Sequence, residues 1–142
     1  MNDISLEMAE TVITAAKRRA QKLRVPMNVA IVDAGGNLKA FERMDGAWLG
    51  SIDISVRKAR TARYFDMSTG DLGKLSKPGA PAYMIEVSNG GIITFPGGVP
   101  LRTADGNIVG AIGVSGGMPK QDQDVAEEGA DAFEKVSRRL AA

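Results

Sequence analysis

Three ionisable residues in the first half of the chain have the side chains best suited to acid–base chemistry. Lys58 could bind a carboxylate or, if it is removed from water, act as a base, and Asp33 and Asp45 could also transfer protons. Arg43 and Asp45 stand two positions apart at the end of an extended run, so their side chains point to one side and could face one pocket. The simpler interpretation is that Arg43, Asp45 and Lys58 form ion pairs at the surface.

Residues 95–100, with the sequence Phe-Pro-Gly-Gly-Val-Pro, form a second candidate site. Prolines fix φ, whereas glycines adopt backbone conformations that other residues avoid. Such a loop can point the backbone N–H groups of Gly97 and Gly98 into a concavity that suits an anion. The alternative is a rigid connection without a ligand, and the pattern leaves both interpretations open.

A second glycine cluster, Gly-Ala-Ile-Gly-Val-Ser-Gly-Gly, covers residues 110–117. Its Gly-x-x-Gly-x-x-Gly spacing differs from the Gly-x-Gly-x-x-Gly pattern of dinucleotide-binding loops. That mechanism also requires the turn of a parallel βαβ unit, whereas this segment is predicted to be part of an antiparallel sheet. The cluster is therefore more typical of a strand that another backbone or a ligand approaches closely.

The composition excludes several kinds of site. The chain has no His and no Cys, so its residues cannot form a Ser-His-Asp triad, a disulfide, a Cys-ligated zinc site or a His-ligated haem site. Eighteen basic and seventeen acidic side chains give no reason to expect a nucleic-acid partner. No apolar run approaches the roughly 20 residues of a membrane span, so no membrane partner is expected and the cytoplasm is the expected location.

The spacing of apolar residues and turn residues predicts the elements that position these candidates. An α+β fold with an antiparallel sheet of about five strands is predicted, because consecutive hairpins lie between helices. Ser5 and Ser51 are predicted to cap the first two helices, and Asp122 and Asp124 are predicted to cap the last one rather than to bind a metal. The predicted helices cover residues 5–24, 51–64 and 121–140, and the predicted strands cover residues 28–33, 38–44, 92–95, 101–104 and 108–115. Residues 66–81 are predicted to form a long loop with room for one short helix.

Six segments occur in an order that resembles the GlcG/HbpS family, which includes the haem-binding protein HbpS and the C-terminal domain of PduO-type proteins. These segments are residues 31–38, 43–47, 58–62, 95–100, 110–117 and 121–122. The resemblance covers nearly the whole chain and implies a single domain of this type over residues 1–142. It also implies a profilin-like or PAS-like sandwich, in which helices pack on an antiparallel sheet, and a homo-oligomer between a dimer and an octamer.

The resemblance implies three alternative functions. The first is a small-molecule-binding accessory protein for the catabolism of a small organic acid or an aromatic compound. The second is an enzyme that acts on such a metabolite with Lys58, Asp45 or Asp33 as its acid–base groups. The third is a haem or corrinoid carrier. Haem-binding members typically use a histidine ligand, so haem binding is expected to be absent or weak, and a residue such as Tyr64 or Tyr83 would have to replace the histidine.

The ligand pocket is predicted where the two glycine clusters and the central ionisable residues meet. We expect a small-molecule ligand, and the sequence names no particular cofactor or metal. The residues predicted to line this pocket are Arg43, Asp45, Lys58, Phe95, Gly97, Gly98, Pro100, Ser115, Gly116 and Gly117.

Overall fold

The computed structural model describes residues 1–142 and contains four α-helices and four β-strands. None of the helices has both the length and the apolar character that crossing a membrane requires. In chain order the elements are α1 (Leu6–Leu23), β1 (Asn28–Asp33), β2 (Leu38–Arg43), α2 (Gly50–Phe65), α3 (Thr69–Ser76), β3 (Gly98–Arg102), β4 (Ile108–Ser115) and α4 (Pro119–Ala141), with one turn of 3₁₀-helix at Ile85–Val87.

The strands form one antiparallel sheet in the order β2-β1-β4-β3. The two central strands, β1 and β4, pair from Asn28 opposite Ser115 to Asp33 opposite Gly110. The predicted α+β class and antiparallel sheet are therefore confirmed, but the predicted number of strands is wrong, since the sheet has four strands rather than about five.

The missing strand is the segment 92–95, which is irregular although its apolar residues favour a strand. Its backbone groups bond to side chains of neighbouring helices instead of to another strand. Ile93 N–H donates to Oγ1 of Thr61 at 3.2 Å, and the carbonyl of Phe95 accepts from Oγ1 of Thr69 at 2.7 Å. Because these polar groups already have hydrogen-bond partners, the segment does not pair with another strand. Strand β3 instead starts at Gly98, inside the predicted 95–100 loop.

Helices cover both faces of the sheet, because successive strand side chains point to opposite faces. Val29 and Ile31 belong to the larger core cluster with α1 and α4, whereas Ala30 and Val32 pack with α2. On the α2 face, a Cβ atom at Gly113 would overlap the backbone carbonyl of Ser55 in α2. Small residues on this face therefore allow α2 to lie very close to the centre of the sheet.

The starts of α1 and α2 differ in how well the sequence predicts them. Ser5 is the N-cap of α1 as predicted, and its hydroxyl accepts from the N–H of Met8. The prediction that Ser51 caps α2 is wrong, because α2 starts one residue earlier and Leu49 is its N-cap. Ser51 instead lies in the first turn and is 4% exposed.

The predicted caps of α4 are also wrong, because this helix starts at Pro119 and not at residue 121. Proline suits the first turn of a helix, where its fixed φ is favourable and its missing N–H leaves no bond unmade. The earlier start places the two acidic residues inside the helix, where they reach other elements. Asp124 pairs with Arg19 of α1 at 2.9 Å, and Asp122 pairs with Lys58 of α2.

Candidate functional site

Lys58 and Asp122 form a buried ion pair between α2 and α4. The Nζ atom of Lys58 donates to Oδ2 of Asp122 at 2.9 Å and to the carbonyl of Val114 at 2.8 Å, and it lies 4.9 Å from the centroid of the Phe95 ring. The other carboxylate oxygen of Asp122 accepts from the N–H of Gly117 at 2.9 Å. The side chains are 0% and 3% exposed. The alternative of a surface ion pair is therefore wrong for Lys58.

Burial dominates the electrostatics of this pair. Removal from water lowers the pKa of Lys58, and the attraction of Asp122 only partly opposes this effect. Burial likewise raises the pKa of Asp122, against the opposing effects of Lys58 and the N–H of Gly117. Lys58 thus has the desolvation that a catalytic base requires. Its ammonium group, however, contacts only protein atoms, so a substrate would reach it only after the surrounding chain moved.

The glycines of the 95–100 loop already have hydrogen-bond partners. The N–H of Gly97 donates to Oε1 of Gln123 at 3.0 Å, and that of Gly98 donates to Oγ1 of Thr69 at 2.9 Å. A Cβ atom at Gly97 would lie 2.5 Å from Nζ of Lys58. These contacts favour the rigid connection over an anion-binding loop, because an anion would first have to displace both side chains.

The other two candidate acid–base residues, Asp33 and Asp45, lie apart from Lys58. Asp33 ends β1 and accepts from the N–H groups of Gly35 and Asn37, both at 2.9 Å, so it shapes the turn between β1 and β2. Lys58 bonds to Val114, which pairs with Val29 near the opposite end of β1. Four residues of strand, about 13 Å, separate these two ends. Asp45 is exposed in the turn after β2.

A cavity of about 290 Å³ opens at the end of the sheet where β4 leads into α4. Of the ten residues predicted to line the ligand pocket, only Gly116 and Gly117 line this cavity. Sequence reasoning missed the other lining residues, most of which come from the end of α1 and from the segment before α2, while Met118 and Gln121 lie at the start of α4. The available signal was Trp48, the single tryptophan of the chain, which is 67% exposed. The full lining consists of Arg24, Val25, Pro26, Gly46, Trp48, Gly116, Gly117, Met118 and Gln121.

Beside this cavity, the register of the sheet aligns Arg43 of β2, Asn28 of β1 and Ser115 of β4. Asn28 and Ser115 are 0% and 4% exposed, whereas Arg43 is exposed. The side-chain amide of Asn28 donates to the carbonyl of Trp48 at 3.1 Å, but its Oδ1 atom has no donor. The structure thus places Arg43 and Ser115 in one row across the sheet, although neither of them lines the cavity. Asn28, which sequence reasoning missed as an ordinary strand residue, lies between them.

The fold and the site define an α+β protein with helices on both faces of an antiparallel sheet and a small cavity at one sheet end. Residues 4–131 match the family model described as haem degrading protein HbpS-like. The chain therefore belongs to the HbpS-like family, which confirms the GlcG/HbpS resemblance.

Three curated relatives support this assignment. The uncharacterized 15.0 kDa protein in the dhaT-dhaS intergenic region of Citrobacter freundii is 37% identical over 134 residues, which are 94% of each chain. Protein GlcG of Escherichia coli is 36% identical over 112 residues, or 79% of this chain and 81% of GlcG. The corrinoid adenosyltransferase PduO of Salmonella typhimurium is 41% identical over 114 residues. These residues are 80% of this chain but only 34% of PduO, so the chain spans about a third of that protein.

Solved structures share the same fold. The Klebsiella pneumoniae protein ORFY superposes with a TM-score of 0.90 at 34% identity, covering 94% of this chain and 92% of ORFY. A PduOC:heme complex superposes with a TM-score of 0.86 at 37% identity, covering 92% of this chain and 94% of PduOC.

Proposed function

We propose that the protein is a small-molecule-binding accessory protein of the GlcG/HbpS type, built as one domain over residues 1–142. We further propose that its ligand is a small organic acid or an aromatic metabolite of a catabolic pathway. The observation that carries this proposal is the cavity of about 290 Å³ at the sheet end. Its size is near the lower limit of small-molecule pockets, which favours a compact ligand.

The chemistry of the lining supports this class of ligand. Arg24 is exposed and takes part in none of the ion pairs of the chain, so its guanidinium group is available for a carboxylate. The exposed indole of Trp48 offers an apolar surface on which an aromatic ring can stack. Gly116 and Gly117 let the segment after β4 pack closely against two other lining residues, because a Cβ atom at Gly116 would lie 2.7 Å from the carbonyl oxygen of Pro26 and one at Gly117 would lie 2.6 Å from Oε1 of Gln121.

Haem fits this site less well. The structural neighbour PduOC is described in a complex with haem, but this chain has no His or Cys to serve as an iron ligand. Met118 is the one sulfur-containing side chain in the cavity lining. A cavity of this size also suits an acid with a single ring better than a tetrapyrrole. These residues do not fit a His-ligated haem, and the corrinoid alternative has the same difficulty of size.

The enzyme alternative has less support from the geometry. Lys58 is closed off by its contacts with Asp122 and Val114, and Asp33 forms a turn at the far end of β1. Asp45 lies in an exposed turn. No two of these three residues share an ion pair or a hydrogen bond that would couple them for proton transfer.

Ligand binding is tested by calorimetric titration of the protein with benzoate, propionate, glycerol and haem. We expect the two acids to bind and glycerol and haem not to bind. Arg24→Gln and Trp48→Ala are expected to weaken benzoate binding by about tenfold or more, because they remove a charge-assisted hydrogen bond and a stacking surface.

The matched controls are Arg139→Gln and Tyr83→Ala, which change an exposed arginine and an exposed aromatic residue outside the cavity lining. Both should keep the affinity of the unmodified protein. The proposal is contradicted if neither acid binds, if haem binds stoichiometrically with submicromolar affinity, or if Arg24→Gln and Trp48→Ala behave like the controls.

We also propose that the protein forms a homo-oligomer, between a dimer and an octamer. Small domains bury a limited fraction of their surface, and this chain leaves several large apolar side chains exposed. Multi-angle light scattering at micromolar concentration is expected to give a multiple of 15.0 kDa, and a mass equal to one chain would contradict the proposal. The most exposed of these side chains are Leu49 at 72%, Val87 at 70%, and Trp48 and Met118 at 67% each.

A further inference from the structure

Asn28 is a buried polar residue whose hydrogen-bonding groups are only partly paired within the chain. Its side chain is 0% exposed, and its Oδ1 atom is one of only two buried side-chain polar atoms without a hydrogen-bond partner. Buried acceptors are nearly always paired, because an unpaired one has lost its bond to water without gaining another. Such an atom therefore points to a donor that comes from outside the chain.

Two further polar side chains lie under the start of α2 together with Asn28. Ser115 is its register partner on β4, and Ser51 lies in the first turn of α2, each 4% exposed. Neither hydroxyl takes part in any of the hydrogen bonds within the chain. The unpaired acceptor of Asn28 thus lies at the same end of the sheet as two hydroxyls that are free to bond to a ligand, although neither hydroxyl is itself a buried atom without a partner.

This polar group directly adjoins the proposed ligand cavity. The amide of Asn28 holds the carbonyl of Trp48, and Ser115 immediately precedes Gly116. Both Trp48 and Gly116 line the cavity. The segment that separates Asn28 from the cavity leads to Leu49, the N-cap of α2, which has no side-chain capping bond to hold it.

We propose that the ligand of this cavity is a hydroxyl-bearing carboxylic acid and that Asn28 determines this specificity. The proposal rests on the proposed function, since it concerns the same cavity. The ligand hydroxyl donates to Oδ1 of Asn28 and accepts from Ser115, while the carboxylate pairs with Arg24. Binding of the hydroxylated acid, but not of its parent acid, moves the segment of Trp48 away from Asn28, which exposes the acceptor to the ligand.

Matched pairs of acids test the specificity. We expect the protein to bind 4-hydroxybenzoate more tightly than benzoate, or lactate more tightly than propionate, by about tenfold or more, because a site with a buried unpaired acceptor discriminates against a ligand that lacks the donor. Asn28→Ala and Ser115→Ala are expected to reduce this ratio to less than about threefold, whatever each variant does to the affinity for the parent acid. Asn107→Ala, which changes an exposed asparagine in the turn between β3 and β4, is the control and should keep the ratio.

Asn28→Ala also removes the bond to Trp48 and could impair folding, so a measurement on the unmodified protein complements it. In ¹⁵N-labelled protein, the side-chain amide signals of Asn28 should shift with the hydroxylated acid but not with its parent acid.

The outcomes separate this inference from the proposed function. If neither member of either pair binds, the proposed function fails and the specificity fails with it. If the acids bind without preference for the hydroxylated member, or if the Asn28 amide signals respond equally to both members, the cavity still binds acids. In that case Asn28 is satisfied by water alone and the specificity proposal is overturned.

Discussion

Lys58→Met is expected to lower the free energy of unfolding by about 3–5 kcal/mol. Methionine has nearly the same length as lysine, so the substitution removes the charge without opening a large cavity. It leaves the buried carboxylate of Asp122 without its cation and the carbonyl of Val114 without its donor. Urea denaturation followed by circular dichroism measures the loss.

An exposed lysine in a similar pair is the control for this substitution. Lys74 and Asp71 also form an ion pair, but their side chains are 78% and 62% exposed. Lys74→Met should therefore cost less than about 1 kcal/mol. The double variant Lys58→Met/Asp122→Leu is expected to recover part of the loss, because it removes the unpaired charge as well. A cost below about 1 kcal/mol for Lys58→Met alone would show that the pair is accessible to water.

Gly98→Ala is expected to cost about 3 kcal/mol, which is high for the addition of one methyl group. A Cβ atom there would overlap the backbone carbonyl of Lys58 and would lie 2.6 Å from Cγ2 of Thr69. Gly98 has no positive φ. The cost therefore comes from forcing β3 away from α2 and not from backbone strain, which alone would cost about 1 kcal/mol. The unfolding midpoint measures this cost.

Gly50→Ala is the matched control because Gly50 also lacks a positive φ and has no atom near its Cβ position. At the start of α2 this change should be neutral or slightly stabilising. Benzoate affinity should be unchanged in both variants, because the proposed cavity lies at Gly116 and not at the 95–100 loop. If a folded Gly98→Ala variant loses affinity for benzoate, the ligand binds at the 95–100 loop and not at the proposed cavity.

Helices α1, α2 and α4 and three of the strands could be predicted because their apolar residues follow the spacing of the element, whereas α3 lies within residues 66–81, which were predicted as a long loop with room for one short helix. The segment 92–95 shows where this reasoning fails. Ile-Ile-Thr-Phe is typical of a strand, but side chains of α2 and α3 take its backbone bonds. Such contacts come from residues more than twenty positions away and have no signature in the local pattern.

The candidate site was predicted in parts and not as a whole. The pattern selected Lys58 and Gly97, which the structure does bring together, but it assigned Asp122 to a helix cap. The bond between Lys58 and Asp122 spans 64 positions, and a carboxylate near a helix start is more often a cap. Asn28 was overlooked because only the finished fold shows that its oxygen has no donor.

The pairing of β1 with β4 has a consequence for how the chain folds. The central ladder joins residues 28–33 to residues 110–115, so it closes a loop of more than half the chain. The hairpin of β1 and β2 can form early and can pack against α1 and α2, but the other edge of β1 has no partner strand until β4 has been synthesised. Long-range pairing of this kind slows folding and leaves apolar strand edges exposed in the meantime. A newly made chain therefore depends on its last quarter to become resistant to aggregation.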